Sequence, residues 1–222
     1  GLTPERFELQ RWQVRLPQSE MRGRGSLNMA DQQLQFRIEI PRLQLDEFPI
    51  TLPPDLPKQV QGAITANGSL RAPRVEARLT YAGARIGADL EAQLQESLPR
   101  YQAKLRIESL NVARLSPTMA GELQATLQLQ GSGFTEEQRR ATLTLAVDSR
   151  NFTLAPGLTV RLESTLAGQT LNLQELRVTS TPVQLDASGT LSAAQQAGVS
   201  YTLRLGDFTP PQQVLGAALK AS

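Results

Sequence analysis

Apolar and polar residues take turns along most of this chain. Val75, Ala77, Leu79 and Tyr81 are each separated by a single residue, and Ile86, Ala88, Leu90, Ala92 and Leu94 follow with Gly87, Asp89, Glu91 and Gln93 between them. The same spacing recurs at Leu123, Ala125, Leu127 and Leu129; at Leu143, Leu145 and Val147; and at Leu158, Val160 and Leu162. It continues at Val183, Leu185 and Ala187, and at Val199, Tyr201, Leu203 and Leu205. Side chains alternate faces along a strand, so each run predicts a strand with one apolar and one wet face. Glutamine and arginine supply much of the wet face. Buried parallel strands would be apolar at nearly every position, so the pattern predicts antiparallel pairing. Turn chemistry separates the runs at Asn67-Gly68, Ala82-Gly83, Gly131-Ser132-Gly133, Pro156-Gly157, Ala167-Gly168-Gln169 and Ser188-Gly189, though some of these glycines also fit bulges within strands.

Several runs break the alternation in one recurrent way. Phe7-Leu9-Trp12-Val14, Ile38-Ile40-Leu43-Leu45, Leu105-Ile107-Leu110-Val112 and Leu171-Leu173-Leu176-Val178 each carry one extra residue midway, and Leu203-Leu205-Phe208 is an incomplete fifth. A β-bulge absorbs the extra residue, returns the apolar side chains to one face and bends the strand, as a strongly curved sheet requires. The patterns begin at Phe7, Ile38, Leu105, Leu171 and Leu203. Their intervals are close to one or two multiples of about 33 residues, which fits an internal repeat with two strands to a unit.

Helix signals are few. Thr135-Glu136-Glu137 opens a single turn up to Arg140, and the tail 210–222 reads as short helix or irregular chain, with Val214, Leu215, Ala218 and Leu219 on one helical face. The stretch 49–57 holds four prolines and cannot be a central strand. It reads as a crossing loop or a sub-boundary, and no change of composition accompanies it. The expectation is one β body over 1–222, part of a longer chain.

Composition narrows the function classes. Residues are 40% hydrophobic but only 5% aromatic, so Leu, Val, Ala and Ile must fill any interior. The formal charge is +2 with no histidine, and the isoelectric point near 9.3 follows because no side chain titrates between about pH 5 and 9. Arg74, Arg78, Arg85, Arg100 and Arg106 are spread singly, without the basic stripe of a nucleic-acid binder. Cysteine is absent, which removes disulfides and thiolate chemistry. No run reaches the ~18 apolar residues of a membrane span, and no signal peptide is seen.

Candidate chemistry is sparse. Without histidine or cysteine, nucleophile–histidine triads and histidine-ligated zinc are ruled out. Asp89 and Glu91 fall on the wet side of an alternation, Asp46-Glu47 and Glu136-Glu137 fall in loops, and Asp186 and Asp207 complete the candidates. None is expected beside an apolar wall that would tune it for acid catalysis. Arg22-Gly23-Arg24-Gly25 is too short to cradle a phosphate. Asn67-Gly68-Ser69 and Asn151-Phe152-Thr153 match the glycosylation pattern with nothing else in support. The expectation is a non-enzymatic domain without metal or cofactor. What remains is the apolar face, which has to be covered. A two-sheet sandwich covers it with itself; an open aliphatic trough leaves it for a guest.

The stretch from Gly68 to Phe208 resembles the AsmA-like proteins, most closely the TamB branch. The resemblance lies in Gly68-Ser69-Leu70-Arg71-Ala72-Pro73-Arg74-Val75; in Leu105-Arg106-Ile107-Glu108-Ser109-Leu110-Asn111-Val112-Ala113-Arg114-Leu115 with Gly121-Glu122-Leu123; in Leu129-Gln130-Gly131-Ser132-Gly133; and in Leu176-Arg177-Val178-Thr179-Ser180 running into Leu185-Asp186-Ala187-Ser188-Gly189-Thr190-Leu191-Ser192. It spans nearly two thirds of the chain, while the stretch 1–60 matches only in strand style. The resemblance implies an all-β fold: a long, strongly curved, mostly antiparallel sheet folded into a U-shaped, taco-like groove with an apolar interior. It implies a periplasmic part of an inner-membrane-anchored protein that shields phospholipid acyl chains between inner and outer membrane and supports outer-membrane assembly. The anchor, and the end through which such proteins meet an outer-membrane barrel partner, would lie outside this chain. The lining expected for acyl chains is Leu79, Ile86, Leu90, Leu94, Leu105, Ile107, Leu123, Leu127, Leu143, Leu145, Val160, Leu162, Leu171, Leu173, Leu185 and Leu203. The alternative is a structural or interaction β-sandwich module that binds protein partners through its edge strands.

Overall fold

The computed structural model describes residues 2–3, 6–49, 56–116, 119–181, 183–192 and 195–205. Fourteen strands form one sheet in sequence order, each hydrogen-bonded to its chain neighbours. They are β1 (Leu2–Thr3), β2 (Arg6–Arg15), β3 (Glu20–Asn28), β4 (Gln33–Gln44), β5 (Gln59–Ser69), β6 (Ala72–Tyr81) and β7 (Ala84–Gln93), followed by β8 (Arg100–Asn111), β9 (Glu122–Ser132), β10 (Arg140–Arg150), β11 (Thr159–Ala167), β12 (Thr170–Thr179), β13 (Val183–Ser192) and β14 (Gln195–Leu205). Every pairing is antiparallel, and the sheet is not closed: β14 pairs only with β13, and β1 only with β2. Alternation at period two and short turns make this up-and-down order the direct outcome of the sequence.

Strands β4 and β5 pair directly, so the sheet runs without interruption past the proline-rich stretch, of which 50–55 lie outside the described residues. The expected tail 210–222 and Phe208 lie outside them too.

All four complete bulge patterns carry a register shift where the sequence places the extra residue. The shifts fall between Leu9 and Trp12, Ile40 and Leu43, Ile107 and Leu110, and Leu173 and Leu176. In β8 the extra backbone turn is made by Ser109 at φ 54. Proline fits the bulge of β4 at Pro41, where a ladder donor is dispensable. Further shifts occur at Glu20/Arg22, Glu163/Ser164 and Thr190/Ser192.

The bulge falls on β2 and β4, two strands apart, and then at four-strand intervals on β8 and β12. The extra-residue pattern recurs on β4, β8 and β12, while β6 and β10 pair in unbroken register on both sides. The starts Ile38, Leu105 and Leu171 are separated by almost equal intervals of four strands, each holding two of the two-strand units that the sequence suggests. After β4 and β8 the chain makes a 3-10 turn, Leu45–Glu47 and Val112–Arg114, instead of continuing the strand as the alternation of Leu45 and Val112 implies. Asn111 stops β8 because its side-chain oxygen accepts from the Ala113 N–H at 3.0 Å. Each turn lies against the hairpin two strands back. Glu47 accepts from the Gln18 N–H at 2.7 Å and from the Ser19 hydroxyl, and the Arg114 side chain lies over Gly83 of the β6–β7 turn. The loop after β12 does the same to the β10–β11 loop, with Thr181 donating to the Pro156 carbonyl at 2.9 Å. At the other end, Leu70 bonds Gln32, Leu94 bonds Arg71, Gly133 bonds Pro99 and Gly168 bonds Arg139, tying successive loops together. Thr135–Arg139 forms the expected single turn, with the Arg139 N–H on the Thr135 carbonyl at 2.9 Å.

Little is enclosed. Among the described residues, Ile40, Ala82, Ala84 and Val112 are the buried apolar side chains, and no large side chain is fully buried. The chain exposes 14971 Å², half as much again as the ~10,000 Å² of a compact folded protein of its 24.3 kDa. An interlocked interior of the sandwich kind is absent among these residues.

The apolar face as candidate functional site

Directly opposite residues of an antiparallel ladder share a face, so the register shows which side chains stand together. One row crosses the sheet through Leu79, Ile86, Ile107, Ala125, Val147, Val160, Val178, Leu185 and Leu203, each opposite the next. A second row, one pleat along, runs Ile38, Ile64, Ala77, Ala88, Leu105, Leu127, Leu145, Leu162, Leu176, Ala187 and Tyr201. A third holds Val75, Leu90, Ala103, Leu129, Leu143, Ser164 and Leu173, and a fourth ends at Leu166, Leu171 and Leu191. Leu123 joins the same face opposite Leu110 and Ser149. Fifteen of the sixteen proposed lining residues thus lie on one side of one sheet. Leu94 does not: β7 ends at Gln93, and Leu94 sits in the following loop.

None of the sixteen is buried. Leu90, Leu94, Leu171 and Leu203 are exposed, with Leu203 at 51%, and the others are half-buried. The face is apolar, continuous and uncovered among the described residues.

Three aromatic rings lie across glycines on this face. Trp12 stands opposite Gly23, Phe36 opposite Gly25 and Tyr101 opposite Gly131. A β-carbon added at Gly23 would meet the Trp12 ring at 2.6 Å, and one at Gly131 would meet the Tyr101 ring at 2.5 Å. Each ring therefore lies over its neighbour's bare backbone and supplies the apolar cover that glycine lacks. Tyr101 is also stacked on Phe134, with centroids 5.7 Å apart. Ser164 and Ser149 are the polar intrusions: Ser164 is buried, and the Ser149 hydroxyl oxygen is buried without a partner.

The opposite face is ionic. Cross-strand pairs join Arg22 to Glu39 at 2.9 Å, Arg74 to Glu91 at 3.0 Å, Arg85 to Glu108 at 3.2 Å and Arg177 to Asp186 at 2.8 Å. Arg22, then Arg37, hold the Glu39 carboxyl below the ordinary carboxylate range by hydrogen bonding. Arg177 does the same to Asp186, which raises the Arg177 guanidinium in turn. Such exposed pairs are screened by water and salt, so they mark which side faces water more than they hold the sheet. Asp89 and Glu91 lie on this side, as the alternation implies. A concavity of about 690 Å³, with Arg100, Gln102, Gln130, Ser132 and Arg140 in its wall, also spans β7 to β11.

No family model, characterised protein or solved structure matches this chain. The chemistry of the site therefore rests on its own residues. Among those described, no three of Asp, Glu, His and Cys gather as a metal site, and no helix is long and apolar enough to cross a membrane. What such an aliphatic surface offers is the exclusion of water from any apolar group laid against it. Sequence reasoning left Ile64, Phe36 and the strands β3 and β5 out of the site. On β3 and β5 several apolar-face positions are glycine (Gly23 and Gly25, Gly62 and Gly68), which erases the apolar signal that alternation detects.

Proposed function

We propose that this chain is a lipid-shielding sheet of the AsmA-like, TamB type, whose apolar face bends into a U-shaped trough for phospholipid acyl chains. One observation carries this: a many-stranded aliphatic face that stays uncovered among the described residues. Each methylene removed from water contributes about 0.8 kcal/mol, so an acyl chain favours such a face strongly over water. The lining is leucine, valine and alanine, chemically close to the bilayer interior, so transfer from membrane to trough is nearly neutral and sliding meets no deep trap. Fourteen strands at ~4.8 Å spacing give a path of about 60 Å. Headgroups remain in water along the open side. On this reading the chain works non-enzymatically in the periplasm, within an inner-membrane-anchored protein that serves the outer membrane and meets an outer-membrane barrel through other segments.

The test is lipid co-purification measured by mass spectrometry. The unaltered chain carries phospholipid, and Leu127→Arg and Leu145→Arg, at the centre of the second row, lose it at least tenfold while the β circular dichroism persists. Lipid-free wild-type protein, or variants that retain full lipid, would overturn the reading. A second reading has one observation in its favour: among the described residues β14 pairs on one side only, which leaves its other edge for a strand from a protein partner.

A further inference from the structure

On the ionic face many arginines have a carboxylate within reach, whereas Arg24, Lys104, Arg106 and Arg140 have none among the described residues, and Arg140 stands in a transverse row without any acid. Gln93, Arg100, Ser132, Arg140 and Ala167 stand opposite one another in turn and include no acid. Arg100 turns outward to Glu96 in the preceding loop at 3.1 Å. Arg140 has no ion-pair partner among the described residues. The neighbouring row, Glu91, Gln102, Gln130, Thr142 and Thr165, has one acid, and Glu91 is already held by Arg74 at 3.0 Å and by the Gln102 amide at 2.6 Å. These two rows, with Ala92, Tyr101, Gly131, Ala141 and Leu166 of the row between them, line the concavity of about 690 Å³.

Its chemistry is one-sided. Arg100 and Arg140 are two strands apart, about 10 Å between backbones, with the Ser132 hydroxyl midway. Arg140 is free to reach over that hydroxyl and Arg100 would exchange Glu96 for the guest; planar N–H forks match tetrahedral oxyanions. The space exceeds a lone phosphate, and the rest of the wall offers amides and hydroxyls. The geometry points to a binding site for a phosphate ester that carries hydroxyl groups, a glycerol phosphate or sugar phosphate, with Arg140 and Arg100 on the phosphate and Gln102, Gln130 and Thr142 on the hydroxyls. The ester is either a free metabolite or the headgroup of a lipid. The site lies on the opposite side of the sheet from the acyl-binding face and stands whether or not that face carries lipid.

The experiment is titration of the folded chain with glycerol 3-phosphate, followed by amide and arginine side-chain NMR. Saturable shifts at Ser132 and at the Arg100 and Arg140 Nε signals are expected. Arg140→Gln and Arg100→Gln each weaken binding at least fivefold, Arg140→Lys weakens it less, and Arg161→Gln, on the same face but paired to Asp148, leaves it unchanged. A parallel titration with phosphatidylglycerol in detergent micelles assigns the source: tighter binding than glycerol 3-phosphate means a lipid headgroup, weaker binding a free ester. Non-saturating shifts, shifts reproduced by sodium chloride at equal ionic strength, or unchanged affinity in both glutamine variants would overturn the site. Spectra of each variant with wild-type dispersion establish that folding is not the cause.

Discussion

Ser109 concentrates the logic of the bent strands in one residue. It sits at φ 54 in the extra position of β8, in left-handed territory that costs a non-glycine residue about 1–2 kcal/mol. Glycine there relieves that strain but gives back about 0.5–1 kcal/mol in chain entropy. Ser109→Gly is therefore expected to leave stability to urea unchanged or to raise it by up to about 1 kcal/mol, whereas Ser109→Val lowers it by more than that. A glycine that destabilises as it would at any regular strand position contradicts the bulge. The bulge was legible because a single extra residue between Ile107 and Leu110 shifts every later apolar side chain, and a sheet with one apolar side does not tolerate that slip. The left-handed residue itself was not, since serine carries no turn signal that glycine or asparagine would. The same limit hid β3: Gly23 and Gly25 are apolar-face positions whose apolar atoms come from Trp12 and Phe36 on adjacent strands.

At the level of elements, each strand is a two-sided ribbon, and the wet side responds to acid. Glu39 and Asp186 titrate below their ordinary values in the folded sheet because of Arg22 and Arg177. A carboxyl with a depressed folded value adds stability that is complete above its unfolded value, about 4, and is lost as pH falls through the folded one. Stability is thus expected to hold steady from neutrality to about pH 5 and to decline below about pH 4. Glu39→Gln and Asp186→Asn should shallow that decline and lower the neutral plateau by a matching, small amount. A decline centred above about pH 5, or one unaffected by both substitutions, contradicts the assignment. The strands and their pairing sense followed from alternation. Their ends did not, because Leu45 and Val112 keep the apolar rhythm while the backbone has already turned to reach the hairpin two strands back. Likewise Asn67-Gly68 and Ser188-Gly189 read as turns but lie inside β5 and β13, where glycine meets close backbone from the next strand. Turn chemistry marks where the backbone departs from the ordinary, without distinguishing a reversal from a bulge.

For the whole molecule, the decisive property is what it leaves uncovered. Four-strand intervals of almost equal length follow one another edge to edge, so the apolar rows lengthen with each and no element folds back over them among the described residues. A folded chain that exposes so much aliphatic surface has a guest for it or a tendency to associate. Trp12, the single tryptophan, lies on that face and reports on the guest directly. The most direct measurement is quenching of Trp12 fluorescence by phospholipids brominated along their acyl chains, added to delipidated protein. Saturable quenching is expected, abolished by Leu127→Arg and Leu145→Arg through loss of bound lipid even though both stand well away from Trp12. Absence of quenching by brominated chains, with the sheet intact, would contradict an acyl-carrying face.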